Sequence, residues 1–401
     1  MLNYPIFRLT WERLSLILML NSIILILLNS DMAQFRPSTT LNKIFLFALT
    51  LVLNLLFLTQ KIILFFVFFE ISSLLIFFYI LLFGYQPERL RASFFLLLYT
   101  GVSALPLIGR IFLLGFYLKI NTWLALETAL QSRFTTNNLR GVIFYLLASM
   151  AFFAKLPVFG LHVWLPKAHL EASAQGSILL AAVLLKLGGY GLLRINNLFL
   201  KSHFSEFILS IFLTGGFILI ILAFTQTDLK IIVAYSSVSH MSVIASASMF
   251  LHLRNLGIIL TIIVAHGLVS SGLFYRVGVL YKISNSRLKF FNRGLLTLRP
   301  RFAIVWKLLL LANLGVPPVI NFWVEYEIVR HFAGLSKWIL VLIILIIFFT
   351  LFIRLFLIIN SNIKKNKIKY LHVLSNSLNQ SLLKFHIFLI TLLTFRISIW
   401  I

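Results

Sequence analysis

Long apolar runs separated by short polar connections set the pattern of this chain. About 12 stretches approach the roughly 20 apolar residues a helix needs to cross a bilayer. They are residues 14–29, 41–59, 62–83, 92–118, 141–165, 174–195, 206–226, 229–250, 256–280, 302–332, 336–360 and 383–401. Apolar and polar residues do not alternate within them, as the strands of a membrane barrel would require, so each is predicted to be helical. Short connections make neighbouring helices antiparallel. The exceptions are the basic stretch Lys282–Arg301 and the cluster Lys364–Lys369. The expected fold is all-α, a polytopic transmembrane helix bundle.

Two of these segments contain prolines deep in apolar surroundings: Pro157 in FFAKLPVFGLHVWLP, and Pro317–Pro318 in LLANLGVPPVINFWVE. Proline removes a helix hydrogen bond and clashes with the preceding turn. At bilayer depth the freed carbonyls need partners from protein or from a wet cavity. A plain kink would account for either one. Two breaks in separate halves of the chain, each beside an ionisable residue, fit the internal repeats of transporters better.

Composition strengthens the membrane reading. The 401 residues are 61% hydrophobic and only 11% charged, against about 25% charged in soluble domains. The net charge of +25, from 35 Lys and Arg against 10 Asp and Glu, would suggest nucleic acid on a soluble protein. Here most basic residues fall between apolar runs, where they anchor helices at headgroups, so no nucleic acid is expected as partner. Their distribution puts the loops at Lys282–Arg301 and Lys364–Lys369 on the cytoplasmic or matrix side, and both termini opposite. Cysteine is absent, which excludes disulfides and thiolate-ligated iron–sulfur clusters in this chain. No cleavable targeting signal is expected from the N-terminal residues. The abundance of Phe, Leu, Ile, Asn and Lys is what AT-rich, often organellar, genes encode.

The candidate chemistry lies in charges at bilayer depth, which cost at least about 2.5–3.5 kcal/mol each and are usually functional. They are Glu70, Lys155, Lys186, His240, His266 and Glu325. Glu70 could instead be a structural carboxylate paired with a lysine, Lys186 could snorkel, and each histidine could be a hydrogen-bonded packing residue. Taken together, they suit proton movement. Burial lowers a lysine's proton affinity and raises a carboxylate's, and a nearby opposite charge reverses both. Histidines between such sites can relay, with help from the hydroxyls of Ser236, Ser237, Ser239, Ser270 and Ser271. No aromatic cage, carboxylate cluster or arginine clamp is expected at membrane depth. The run Gly188–Gly191 reads as a close-packing surface, not a phosphate loop. His162 and His169 lack a third ligand, so no metal is expected. No nucleotide fingerprint is present, so any redox cofactor would belong to another chain.

The stretch AKLPVFGLHVWLPKAHLEASAQGSILLAAVLLKLGGYGLLRI, followed in order by TDLKIIVAYSSVSHMSV, AHGLVSSGLF and LANLGVPPVINFWVE, resembles the antiporter-like subunits of proton-pumping NADH:ubiquinone oxidoreductase, respiratory complex I. The likeness runs from about Phe65 to about Ile328 and its long motifs are specific. It implies two inverted five-helix repeats, expected at 62–195 and 206–360, with N-terminal helices over 1–61 and a basic loop plus last helix over 361–401. It matches Glu70 to a helix glutamate paired with Lys155, Lys186 to a central lysine, His266 to a relay histidine and Glu325 to a terminal acid. His240 falls in a matching motif with a less firmly implied role. The implied setting is the mitochondrial inner membrane, among other membrane subunits and phospholipids. NADH, FMN, iron–sulfur clusters and ubiquinone would belong to partner subunits, with no cofactor in this chain.

The resemblance has departures. About two leading helices of the family are expected to be missing. Ser173 and Gln175 replace a proline and a small residue, and Val324 stands where a glycine is usual before Glu325. An Mrp-type cation/proton antiporter subunit shares the same motifs, and a structural subunit that pumps nothing is the alternative of a different class.

Overall fold

A computed structural model describes residues 40–84, 86–123, 125–126, 139–196, 203–250, 256–293, 300–317, 319–334 and 336–362. The segments expected at 14–29 and 383–401, the Lys364–Lys369 cluster and Pro318 lie outside the described residues. Twelve helices follow one another among those residues. They are α1 (Thr40–Leu58), α2 (Ile62–Phe83), α3 (Arg89–Leu118), α4 (Leu139–Lys155) and α5 (Trp164–Glu171). Next, α6 runs over Ala174–Leu179, through a π-helical turn at Leu180–Leu184, and on over Leu185–Asn196. The series ends with α7 (His203–Thr225), α8 (Leu229–Phe250), α9 (Leu256–Ser284), α10 (Pro300–Asn313), α11 (Ile320–Phe332) and α12 (Lys337–Asn362). Among the described residues no strand forms; two isolated bridges, Lys61 with Thr122 and Asp228 with Leu288, tie loops together.

Eight of these helices are long and apolar enough to span a membrane. The segments predicted at 141–165 and 302–332 are each divided, the first into α4 and α5, the second into α10 and α11. Proline is the reason in both cases.

The helices sort into inner and outer sets. The spans of α6, α8 and α9 are 94%, 89% and 94% buried, whereas those of α1, α3 and α12 are 39%, 39% and 33% buried. Outer helices turn leucine and phenylalanine outward, as at Phe47, Leu105, Phe116 and Phe348. Such a face suits lipid, since it offers no polar group to desolvate. The inner trio contains Lys186, His240 and His266. The polar inventory is therefore surrounded by protein rather than lipid.

Small residues let the inner helices approach. A Cβ built on Gly188 would stand 2.9 Å from Leu156 N and 2.9 Å from Phe152 O, both backbone atoms. The Gly188 backbone of α6 thus lies directly on the end of α4. Gly191 meets the Phe152 ring in the same way, and Gly189 faces Ile263 of α9. The glycine run is a packing surface, as its sequence context implied. The substituted linker positions are also tied in. Ser173 Oγ accepts from Gly176 N (3.2 Å) and caps α6, while Gln175 Oε1 accepts from Asn42 Nδ2 and Tyr79 OH, each at 3.1 Å. One amide thereby joins α1, α2 and α6.

Loops on one side clamp the bundle. Leu229 N donates to Arg287 O (3.0 Å) and Lys289 N to Thr227 O (2.9 Å), while Arg287 Nη1 reaches Leu170 O at 2.6 Å. The start of the basic stretch after α9 is therefore fastened to the loop before α8 and to α5.

Gly188→Ala is expected to destabilise the chain by about 1–3 kcal/mol, because overpacking against backbone has no side chain to yield. Thermal unfolding of the purified assembly, compared with wild type, checks this.

Candidate functional site

The first break begins where Pro157 has no N–H to offer. Phe153 O, its i−4 carbonyl, accepts from Val158 N instead, at 3.2 Å. The next carbonyl, Ala154 O, accepts from the Trp164 indole N–H at 3.0 Å. This leaves Lys155 as the last residue of α4, fully buried. Its Nζ donates to Phe69 O (2.7 Å), lies 3.1 Å from the centre of the Phe69 ring, and stands 3.7 Å from Glu70 Oε1. Glu70 is a quarter exposed on its side chain and also accepts from Ser73 Oγ at 3.4 Å. The pair expected from sequence is formed. It is loose, since the ammonium bonds the neighbouring carbonyl more closely than the carboxylate.

Lys186 lies one residue beyond the π turn of α6. Leu185 N–H reaches back to Leu180 O, a five-residue step that bypasses Ala181 O. Lys186 Nζ donates to that carbonyl at 2.5 Å. The extra residue of a π turn thus supplies an acceptor for a buried ammonium where no carboxylate is near. Three residues on, Gly189 packs against Ile263 of α9, one turn before His266.

His266 is buried, with neither ring nitrogen hydrogen-bonded. Its ring centre lies 5.5 Å from that of His240 on α8. His240 Nδ1 stands 3.9 Å from Glu325 Oε1 on α11. His240 therefore lies between His266 and Glu325, a more central place than its motif alone implied. The hydroxyls of Ser236, Ser237, Ser239, Ser270 and Ser271 do not bridge these groups; each donates to a carbonyl three residues back in its own helix.

The second break is built like the first and corrects one expectation. Pro317 leaves Asn313 O without its i+4 donor, and Arg354 Nη1 from α12 donates to it. Arg354 Nη2 contacts His240 Nε2, on the ring whose Nδ1 faces Glu325. An arginine clamp does exist at membrane depth. In the sequence, Arg354 is a lone cation in an apolar run toward its polar end, a pattern that does not set it apart from a snorkelling anchor. Beside it, Gly315 sits at φ 65°, where its missing side chain leaves room for Glu325; a Cβ there would come 3.1 Å from Glu325 Oε2. Val324 turns into the core and Trp323 outward, so the bulky neighbours of Glu325 do not cover it.

Lys230 was also missed. It reads as an interface anchor at the start of α8, yet it is buried and donates to Ala172 O at 2.6 Å, near Glu171. His162 and His169 are packing rings, stacked on Phe159 and Phe274 with centroids 5.6 and 4.2 Å apart.

The site residues thus form two groups, Glu70 with Lys155, and Lys186 followed by His266, His240, Glu325 and Arg354. Contact between Gly188 and the end of α4 brings the groups side by side. Every member can hold a charge or a proton, and none is placed to grip a large solute.

The profile of the transmembrane family described as "NADH:quinone oxidoreductase/Mrp antiporter" matches residues 59–353. The chain is 38% identical to NADH-ubiquinone oxidoreductase chain 4 of Locusta migratoria, over 71% of this chain and 63% of that one. With the Aedes aegypti protein of the same name the identity is 40%, over 68% of this chain and 60% of the relative. With that of Artemia franciscana it is 42%, over 70% and 69%. The chain thus spans less than two thirds of the locust and mosquito proteins. Among solved structures, a chain of respiratory complex I from Thermus thermophilus superposes with a TM-score of 0.84 at 23% identity, over 96% of this chain and 82% of that one. A chain of the Mrp complex from Dietzia gives 0.74 at 20%, over 86% and 38%. Both show the shared fold.

The Trp164 indole is a single donor to a carbonyl orphaned by the first break. Trp164→Phe is expected to cost about 1–3 kcal/mol by leaving that buried acceptor unmet. The loss is measured as reduced thermal stability, and Trp164→Tyr will not restore it unless its hydroxyl reaches Ala154 O.

Proposed function

The chain belongs to the NADH:quinone oxidoreductase/Mrp antiporter transmembrane family, and we propose that it is a proton-translocating membrane subunit of NADH:ubiquinone oxidoreductase. The observation that carries this reading is the pair of titratable groups, Glu70 with Lys155 and His266 with His240 and Glu325, each set beside a proline break, with Lys186 buried on α6 between the helices that bear them. Relatives named NADH-ubiquinone oxidoreductase chain 4 support the complex over other family members. They also support a setting in the mitochondrial inner membrane, as a multi-pass protein within a hetero-oligomer. The two inverted repeats belong to this reading, with α2–α6 as one and the helices from α7 onward as the other.

In this mechanism electron transfer occurs in partner subunits, which hold the NADH, flavin, iron–sulfur and quinone sites. This chain responds to the charge changes that reach it. Drawing Glu70 away from Lys155 removes the carboxylate's support for the ammonium, and its proton passes toward Lys186. Phe69 O remains as the lysine's acceptor, so Lys155 keeps its place in either protonation state. Lys186, held by Ala181 O, hands the proton to His266, and His240 carries it to Glu325. Glu325 then releases it on the far side.

Similarity to the Mrp complex supports a second reading, a subunit of a cation/proton antiporter. Partner proteins separate the two. Flavin and iron–sulfur subunits co-purifying with this chain indicate the oxidoreductase, and their absence from an intact complex favours the antiporter.

Lys186→Met is expected to leave the complex assembled and to lower translocation-linked turnover about tenfold or more, the scale of a lost proton-transfer group. Wild-type turnover in a fully assembled Lys186→Met complex, with full proton translocation, overturns the reading.

A further inference from the structure

A neutral imidazole relays a proton by accepting one at the free nitrogen and releasing the one carried on the other. Both nitrogens of His240 are engaged. Nδ1 faces Glu325 Oε1 at 3.9 Å, and Nε2 contacts Arg354 Nη2. A guanidinium has donors only and keeps its charge in proteins. Nε2 must therefore be the acceptor, and the imidazole proton sits on Nδ1, toward the carboxylate. His266, whose two nitrogens are buried without partners, has no free nitrogen on His240 to which a proton could go.

We propose that Arg354 is a gate on the His266–His240–Glu325 segment, closed when its guanidinium caps His240 Nε2 and open when it swings to the Glu325 carboxylate. The proposal rests on the proton-translocating reading above. Three observations carry it. Arg354 is buried, so its guanidinium has no aqueous position to retire to. Its Nη1 is fixed on Asn313 O, the carbonyl that Pro317 leaves without a donor, which gives the swing a pivot. Glu325 flanks the same imidazole, its Oε1 3.9 Å from Nδ1, and an arginine–carboxylate pair is a stronger hydrogen bond than one to a neutral ring.

The proton count closes. In the open state a proton from His266 enters at His240 Nε2, and the Nδ1 proton leaves to Glu325. His240 stays neutral and Glu325 becomes neutral. Loss of the carboxylate charge ends its hold on Arg354, which returns to His240 once the ring has turned its bare nitrogen back. Each proton thereby shuts the gate behind it, so that His266 and Glu325 are not joined continuously. Arg354 touches no moving proton and is a positioning residue.

The test uses the full chain in its assembled complex. Arg354→Leu removes the closed state, so the proton yield per electron is expected to fall through back-leak, by more than the electron-transfer rate itself changes. Nitrogen-15 NMR of histidine-labelled complex, with His240→Gln used to assign the signal, should show wild-type His240 protonated on Nδ1 alone. Arg354→Leu should add a form protonated on Nε2. Wild-type His240 carrying its proton on Nε2 overturns the proposal. So does an Arg354→Leu complex with unchanged yield and unchanged tautomer, and so does an equal loss of electron transfer and proton yield, which marks a purely structural arginine. If Arg354→Leu fails to assemble, the wild-type tautomer alone decides. Lys186→Met is run in parallel: full translocation there rejects the underlying function, whereas its loss beside an Nε2-protonated wild-type His240 rejects only the gate.

Discussion

A buried ammonium or guanidinium in an apolar bundle must find an acceptor within the protein, and here that acceptor is repeatedly a backbone carbonyl. Lys155 uses Phe69 O, Lys186 uses Ala181 O, Lys230 uses Ala172 O and Arg354 uses Asn313 O. Three of these oxygens sit at irregularities of the helices: a π turn, the end of a short helix and a proline break. The irregular backbone and the buried cations are one design, since each satisfies what the other would leave bare. A carbonyl anchor is neutral. It can hold a lysine that has lost its proton without leaving an uncompensated anion behind, which a carboxylate partner could not do.

The same constraint explains the layering. Outer helices pack inward chiefly through shape, Arg354 of α12 being the exception, so their apolar faces can look outward. The inner helices α6, α8 and α9 combine titratable side chains with serines that turn back on their own carbonyls. Folding the hydroxyls onto the backbone quiets them, and leaves His266 with unspent hydrogen-bonding capacity at both ring nitrogens. Glycines at 188, 189 and 191 bring α6 against α4 and α9 closely enough for the two charged groups to share one interior.

Much of this was legible in the sequence, and the reasons differ from residue to residue. The boundaries 62–83 and 229–250 agree with α2 and α8 because apolar runs flanked by turn residues define a helix without tertiary help. Pro157 and Pro317 announced the breaks by the donor each lacks. Glu70, Lys155, Lys186, His266 and Glu325 stood out because a charge amid apolar residues is costly. Arg354 and Lys230 were hidden by the same reasoning, since a basic residue near the end of a span can be assigned to the interface. Their burial depends on which helices cover them, and that is not written in any single segment. The place of His240 between His266 and Glu325 is likewise a matter of three helices meeting.

The π turn at Leu180–Leu184 left no trace in the sequence, for LAAVL is ordinary helix. Its effect is a phase shift. Because it holds one residue more than a regular α turn would, every residue after it is shifted by about 100° from where an unbroken α-helix would carry it. The first half of α6, anchored by Gln175 to α1 and α2, and the second half, bearing Lys186 toward α9, are set in register by that single surplus residue. Deleting one residue from this stretch would preserve every charge and every proline and let the turn close as regular α-helix, yet it would take away the spare carbonyl that holds Lys186. In this helix the reading frame of the side chains matters as much as the side chains themselves.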